Sequence, residues 1–283
     1  MTVYECARDA AGVLVRAGFT PDEARQDASV LARHLLGWTM TTWAAGSRDV
    51  APGDLAERLA AAVQRRATRE PVAYIIGVRE FYGRDFSVTP AVLIPRPETE
   101  ALVERALAEL SAAPRPGAPV VVDVGTGSGC IAVTIALAHP GARVIATDVS
   151  AAALEVATEN ARRLGAAVEF VETSLLPAVP AAFDIIVSNP PYVSAADRAS
   201  LPPDVRDFEP EQALFAGEDG TAVIRGLAAA SRERLRRGGS LLMEIGHGQS
   251  AAVRAIIESS GLALDRIVPD LQGIPRVAVA RQP

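Results

Sequence analysis

The sequence contains no lysine. All 28 of its basic residues are arginine, set against 34 acidic ones for a formal net charge of −6. That balance argues against a protein that lives on naked duplex DNA, where neutralised phosphates supply most of the non-specific affinity. It leaves room for a local basic patch. Cysteine is scarce. Cys6 and Cys130 lie too far apart for a metal-binding spacing, and two thiols in 283 residues make no disulfide framework. They read as small buried hydrophobes. His34, His139 and His247 show no zinc spacing either, so no metal site is expected. No apolar run reaches membrane-spanning length, and no basic stretch followed by an apolar one opens the chain. A soluble, cytoplasmic protein with no membrane partner is the expectation. There is no internal repeat and no low-complexity tract.

What is present suffices for one large domain or two ordinary ones: 283 residues, 49% of them hydrophobic. The N-terminal block, residues 1–72, reads as helical. Apolar positions recur at helical spacing from Val3 to Ala17. Thr20-Pro21-Asp22-Glu23 combines a capping threonine, a proline suited to the first helical position and a glutamate that completes a capping box; Gly37 ends that helix. A further helix covers about Gly53 to Arg69. Residues 73–92 read as a hairpin linker turning at Gly83. From residue 93 an extended, proline-bounded segment, Leu93 to Glu100, enters a helix running to about Leu110. A linker, Ser111–Gly117, ends it.

Strand and helix then alternate. The expected strands are Val120–Val124, Arg143–Thr147, Val168–Val171, Asp184–Ser188 and Ser240–Ile245, with a late antiparallel pair at Leu264–Val268 and Arg276–Ala280. The expected helices are Ile131–Ala138, Ala151–Leu164, Thr221–Arg237 and Ser250–Ser259. This pattern implies an α/β, doubly wound, mainly parallel sheet over residues 93–283.

Two motifs fall at the carboxyl ends of those strands, where open α/β sheets bind their ligands. Asn189-Pro190-Pro191-Tyr192 follows a strongly apolar strand. Its prolines fix φ and remove two backbone donors, and Asn189 is biased to extended backbone by the proline after it. The loop offers an amide, bare carbonyls and an aromatic ring. The Asn189 oxygen and the Pro190 carbonyl suit both hydrogens of a substrate –NH2, and Tyr192 suits a planar amide or base. The alternative is a strand-ending turn without chemistry. Upstream, Gly125-Thr126-Gly127-Ser128-Gly129 lies between a strand and a helix. Its spacing is neither that of dinucleotide binders nor that of a P-loop. Asp148 ends the next strand, where an acid accepts from ribose hydroxyls. Asp123, at the loop entrance, reads as a carboxylate for a ligand carrying an ammonium or sulfonium.

Together these residues resemble a class I S-adenosylmethionine-dependent methyltransferase acting on a planar nitrogen. The helical block, the hairpin and Leu93-Ile94-Pro95-Arg96-Pro97-Glu98-Thr99-Glu100 narrow the resemblance to the peptide chain release factor N5-glutamine methyltransferases, the HemK or PrmC family, over nearly the whole chain. The resemblance implies a Rossmann-like methyltransferase domain and a substrate-docking helical domain. It implies S-adenosyl-L-methionine as cofactor, with S-adenosyl-L-homocysteine as product. Gly125, Thr126, Gly127, Ser128 and Gly129 would line its methionine and ribose part, Asp148 would hold the ribose, and Pro97 to Thr99 would lie near the methionine end. Asn189, Pro190, Pro191 and Tyr192 would hold the substrate glutamine, with Asn189, Pro190 and Tyr192 catalytic and Asn189 also near the cofactor. One departure stands out: Ser174, followed by Leu175, occupies the place of the family's acidic residue beside the adenine. Adenine contact would then lean on a backbone amide near Leu175, at a cost on the order of 1 kcal/mol in affinity.

The implied partners are class-one release factors, without stable nucleic acid binding. The competing enzyme readings are an adenine-N6 nucleic acid methyltransferase, which uses the same tetrapeptide on a flipped base, and a glutamine methyltransferase of a ribosomal protein. A cofactor-binding protein without activity is the reading from another class. The basic cluster Arg232, Arg234, Arg236 and Arg237 is expected on a helix, as a solvated face. Asp207 to Glu211 reads as a loop that covers the substrate or as plain surface.

Overall fold

Threonine side chains cap the starts of the first three helices. The computed structural model, which describes residues 1–112, 117–178, 182–270 and 272–283, opens with α1 (Val3–Arg16), α2 (Pro21–Leu36), α3 (Met40–Gly46), α4 (Leu55–Ala67) and α5 (Val72–Ile76). Thr20 and Glu23 form the expected capping box, and Thr2 with Glu5 forms a second one. Gly37 stops α2 in the left-handed conformation. Two differences from the sequence reading appear: α3 was not expected, and residues 73–76, expected within the hairpin linker, belong to the helical turn α5. Leu14, Leu31, Leu55 and Leu59 form the centre of this unit's core, each contributing roughly 1.5–3 kcal/mol by burial. Arg66 is also buried, its guanidinium 2.7 Å from Asp27 and 4.3 Å over the Phe19 ring.

The remaining elements are β1 (Val78–Phe81), β2 (Arg84–Ser87), α6 (Glu100–Ser111), β3 (Val120–Val124), α7 (Cys130–Ala138), β4 (Arg143–Asp148), α8 (Ala151–Leu164), β5 (Val168–Glu172), β6 (Phe183–Ser188), α9 (Pro203–Phe208), α10 (Glu211–Leu214), α11 (Ala222–Arg234), β7 (Leu235–Glu244), α12 (Ser250–Ser259), β8 (Ala263–Pro269) and β9 (Pro275–Arg281). The described residues make two units: Met1–Val78 with Pro202–Phe208, and Arg79–Leu201 with Glu209–Pro283. The linker expected at Ser111–Gly117 lies partly outside the described residues (113–116), as does one residue (271) of the turn between β8 and β9.

The second unit is built on a seven-stranded sheet in the order β5-β4-β3-β6-β7-β9-β8. Strands β3 to β7 run parallel, while β9 lies antiparallel to β7 and β8 antiparallel to β9. The chain winds outward from β3 to β5 and then restarts on the other side of β3 with β6. This reversal makes the β3/β6 edge the topological switch point. Side chains alternate across the sheet. Val120, Val122 and Val124 face one core cluster and Val121 the other. The β1–β2 hairpin turns at Tyr82 and Gly83, both at positive φ (53° and 72°), as a two-residue turn matched to strand twist requires. Its Phe81 and Phe86 rings pack edge to face, 6.1 Å apart, in the core of this unit.

The start of β7 corrects one expectation. Arg232 and Arg234 end α11, but Arg236 and Arg237 belong to the strand. The chain leaves the helix at Leu235, and the β6–β7 register slips between Phe183–Leu235 and Ile185–Ser240. Gly239 makes this slip possible, because a Cβ there would lie 3.1 Å from the carbonyls of both Phe183 and Asp184. Among the described residues no helix is long and apolar enough to cross a membrane.

Candidate active site

Three loops meet beyond the carboxyl ends of β3, β4 and β6, and the cleft between them, open to solvent, has an empty volume of about 1020 Å³. Ser188 Oγ donates to the Val124 carbonyl at 2.7 Å, which ties the end of β6 to the end of β3 and sets the Asn189 loop beside the glycine loop.

Gly125 and Gly127 hold φ of 72° and 55°, and a Cβ on either would meet nothing within 4 Å. Glycine is needed there for the backbone conformation, and the surface it leaves is open to a ligand. Gly129 serves a different purpose: a Cβ there would come 3.1 Å from that of Ala157, so it allows the loop to pack on α8. Asp148 accepts from the Gly127 N–H at 2.9 Å and from the Ser150 N–H at 3.0 Å. A carboxylate has about four lone-pair positions, so two remain for a ribose diol. Val149, 53% exposed, offers an apolar face next to it. These features fit S-adenosylmethionine.

Of the residues expected from sequence, the cleft lining contains Gly125, Thr126, Gly127, Ser128, Asp148, Ser174, Asn189, Pro190 and Pro191, and, of the segment Pro97 to Thr99, Thr99. Gly129, Leu175 and Tyr192 are not part of it. Leu175 gives its carbonyl to Thr147 Oγ1 at 2.8 Å and packs against the core. The Tyr192 ring is likewise packed against the core, and its hydroxyl lies 3.3 Å from Glu244. Burial and the neighbouring Glu244 carboxylate push the Tyr192 phenol up. Gln249 holds this loop from beneath, donating to the Tyr192 carbonyl at 2.9 Å.

Asp123 does not face the cleft. It is fully buried; its Oδ2 accepts from Thr126 Oγ1 at 2.7 Å and from the Ala132 N–H at 3.2 Å, at the start of α7. The reading of this carboxylate as a ligand's counter-charge therefore fails, because the strand period turns it to the α7 face. The Cys130 thiol, also buried, is pushed up to about 12 by desolvation, as an inert core residue would be.

The structure also gives partners to residues that the sequence reading named only by their segments, and adds Asn160, Gln212 and Ala213, which it did not single out. Asn189 Nδ2 donates to Thr99 Oγ1 at 3.1 Å, and Thr99 donates to Glu244 Oε2 at 2.7 Å. Arg96 lines the cleft and pairs with Glu209, which also accepts from the Ile94 N–H. Pro210, Gln212 and Ala213 follow Glu209 as part of the wall. Thus the segment Asp207 to Glu211 divides: Asp207 and Phe208 end α9, and the cleft begins at Pro210. Asn160 of α8 donates to the carbonyls of Ser87 and Ser128 at 3.0 and 2.9 Å, and its Oδ1 accepts from the Ser87 N–H at 2.8 Å.

The methyltransferase small domain matches residues 103–201, and the PrmC N-terminal domain matches residues 5–77. The release factor glutamine methyltransferase of Cereibacter sphaeroides is 44% identical over 100% of this chain and 99% of its own length. That of Koribacter versatilis is 50% identical over 78% of each. Among solved structures, a methyltransferase from Pyrococcus furiosus shares the fold with a TM-score of 0.51, at 19% identity, covering 71% of this chain and 90% of its own. The sheet order, the glycine loop with Asp148 and the two relatives agree: the chain belongs to the release factor glutamine methyltransferase family.

Proposed function

We propose that this protein transfers a methyl group from S-adenosylmethionine to the side-chain amide nitrogen, N5, of the glutamine in the Gly-Gly-Gln loop of class-one release factors. The observation that carries the proposal is a single cleft lined by the glycine loop, by Asp148 and by Asn189, Pro190 and Pro191. When bound, S-adenosylmethionine would supply a methyl group activated by a sulfonium; the S–CH3 bond breaks to leave S-adenosylhomocysteine, and one amide proton is lost to water after the transfer. An amide nitrogen is a poor nucleophile, because its lone pair is delocalised into the carbonyl. The Asn189 oxygen and the Pro190 carbonyl would each accept one of its N–H bonds and draw off positive charge as it develops. They would also hold the nitrogen in line with the methyl. Pro190 and Pro191 have no N–H, so neither competes for those acceptors. The helical unit, Met1–Val78 with Pro202–Phe208, is the part we assign to docking the release factor.

The test is methyl transfer from radiolabelled S-adenosylmethionine to a purified release factor, to the same factor with its loop glutamine changed to alanine, to a purified ribosomal protein and to adenine-containing duplex DNA. Label on the first alone is expected. Label on DNA or on the ribosomal protein instead would replace this substrate. Asn189→Ala should lower turnover on the order of 10²–10³-fold and change cofactor affinity far less. Equal losses in both would refute the assigned role.

A further inference from the structure

The Asn189 amide has two ends of nearly equal shape and opposite chemistry, so its value as an acceptor depends on which end meets the substrate. The structure fixes that choice from behind the cleft. Glu244 ends β7 and Thr99 ends the single helical turn Pro97–Thr99; each is 2% exposed. The Glu244 Oε2 lies 2.7 Å from Thr99 Oγ1, and its Oε1 lies 3.3 Å from the Tyr192 hydroxyl. An ionised carboxylate only accepts, so the Thr99 hydroxyl commits its one proton to Glu244. Lone pairs are all that Oγ1 has left, and Asn189 Nδ2 donates to one of them at 3.1 Å. Among the described residues the Asn189 oxygen has no hydrogen-bond partner. Turning the amide over would set that oxygen against an Oγ1 with no proton to give, in a buried place where a lost hydrogen bond is not replaced by water. Burial pushes the Glu244 carboxyl up from its ordinary range; the hydrogen bond from Thr99, the Arg276 charge and the hydrogen bond from Tyr192 oppose that shift, and the lock operates where the carboxyl is ionised.

We propose that Glu244 and Thr99 are positioning residues that lock the Asn189 amide with its oxygen toward the substrate nitrogen, and that this orientation sets the rate of methyl transfer. The proposal rests on the substrate-holding role given to Asn189 above. The competing account is that the same bonds only tie the start of α6 to β7.

The experiment measures kcat and KM for a purified release factor, Kd for S-adenosylmethionine and Tm, for the wild type, Thr99→Val, Thr99→Ser, Glu244→Gln, Asn189→Ala and the double variant Asn189→Ala/Thr99→Val. Thr99→Val removes the acceptor at equal size and should lower kcat on the order of 10–100-fold, a larger factor than its change in Kd; taking a hydrogen bond from the buried Glu244 should also lower Tm somewhat. Thr99→Ser keeps the hydroxyl and should recover most of the rate. Glu244→Gln can donate to Thr99 as well as accept, which releases the lock in part, so its loss should be smaller than that of Thr99→Val. In the Asn189→Ala background Thr99→Val should cost nothing more, because a residue that acts through Asn189 has nothing left to position. A Thr99→Ser as poor as Thr99→Val would overturn the proposal, as would a Thr99→Val loss confined to Kd or Tm, or one that multiplies the Asn189→Ala loss. A crippled Asn189→Ala beside an unaffected Thr99→Val sinks this inference alone. A fully active Asn189→Ala sinks the substrate-holding role as well.

Discussion

At the scale of single residues, Asp123 shows how much of a side chain's chemistry is set by the face it occupies. Burial pushes its carboxyl from an ordinary 3.8 up to about 7, against the opposing hydrogen bonds from Thr126 and the Ala132 N–H. Near neutral pH the folded protein therefore holds a proton that the unfolded chain has already released. The stability this contributes is present in full below about pH 4 and is lost as the pH rises through the folded value of about 7. Asp123→Asn cannot titrate. The urea midpoint of the wild type should accordingly fall relative to that of the variant between about pH 5 and pH 8. A gap that stays constant across that range would mean the carboxyl does not titrate there. The sequence gives Asp123 as the end of a strand before a glycine loop, which is correct. It does not say which sheet face that position takes until the strand's register is known: Val122 and Val124 share one face, and Asp123 falls on the other. Tyr192 poses the same problem. Its place in the tetrapeptide was legible, but its packing against the core comes from Gln249 and Glu244, more than fifty residues later in the chain.

At the scale of elements, α8 holds the glycine loop through Asn160 and Ala157. Its expected bounds, Ala151 to Leu164, are those observed, because Ser150 caps its start and Gly165 ends it at φ 74°. The buried stripe on this helix reads Ala153, Ala157, Asn160 and Ala161. A polar residue in an apolar stripe is a signal visible in the sequence, though its partners are not. They are Ser87 of the hairpin and Ser128 of the glycine loop. Asn160→Ala would leave those backbone groups without a partner, at a cost of roughly 2–4 kcal/mol. It should also weaken cofactor binding by loosening the Ser128 end of the loop. Urea unfolding and a cofactor titration check both effects. A loss under about 0.5 kcal/mol would place Asn160 among ordinary surface sites. Where expectation failed at this scale, backbone freedom was the cause. The run from Arg232 to Arg237 continues a helical pattern, and only the bulge at Gly238 and Gly239 makes its second half a strand.

At the scale of the whole molecule, the chain passes out of the sheet unit after Leu201, contributes Pro202–Phe208 to the helical unit and returns at Glu209. The next residues along, Pro210, Gln212 and Ala213, are part of the cleft wall. This connectivity raises the question of whether damage to the helical core reaches the cofactor site. Leu59 is 1% exposed in that core, and Leu59→Ala should destabilise the helical unit by about 2–5 kcal/mol. The wall, however, is anchored within its own unit. Glu209 is 5% exposed, paired with Arg96 and bonded to the Ile94 N–H, so the chain is fixed immediately upstream of Pro210. Cofactor binding in Leu59→Ala should therefore stay within about 0.5 kcal/mol of the wild type, as expected for independent sites. Methylation of the release factor should fall, because the unit proposed to dock it is partly unfolded. Calorimetric titration with S-adenosylmethionine and the methyl-transfer assay read the two separately. Cofactor affinity falling in step with methylation would show that the anchor at Glu209 gives way, and that the segment Pro202–Phe208 transmits the state of the helical unit to the site.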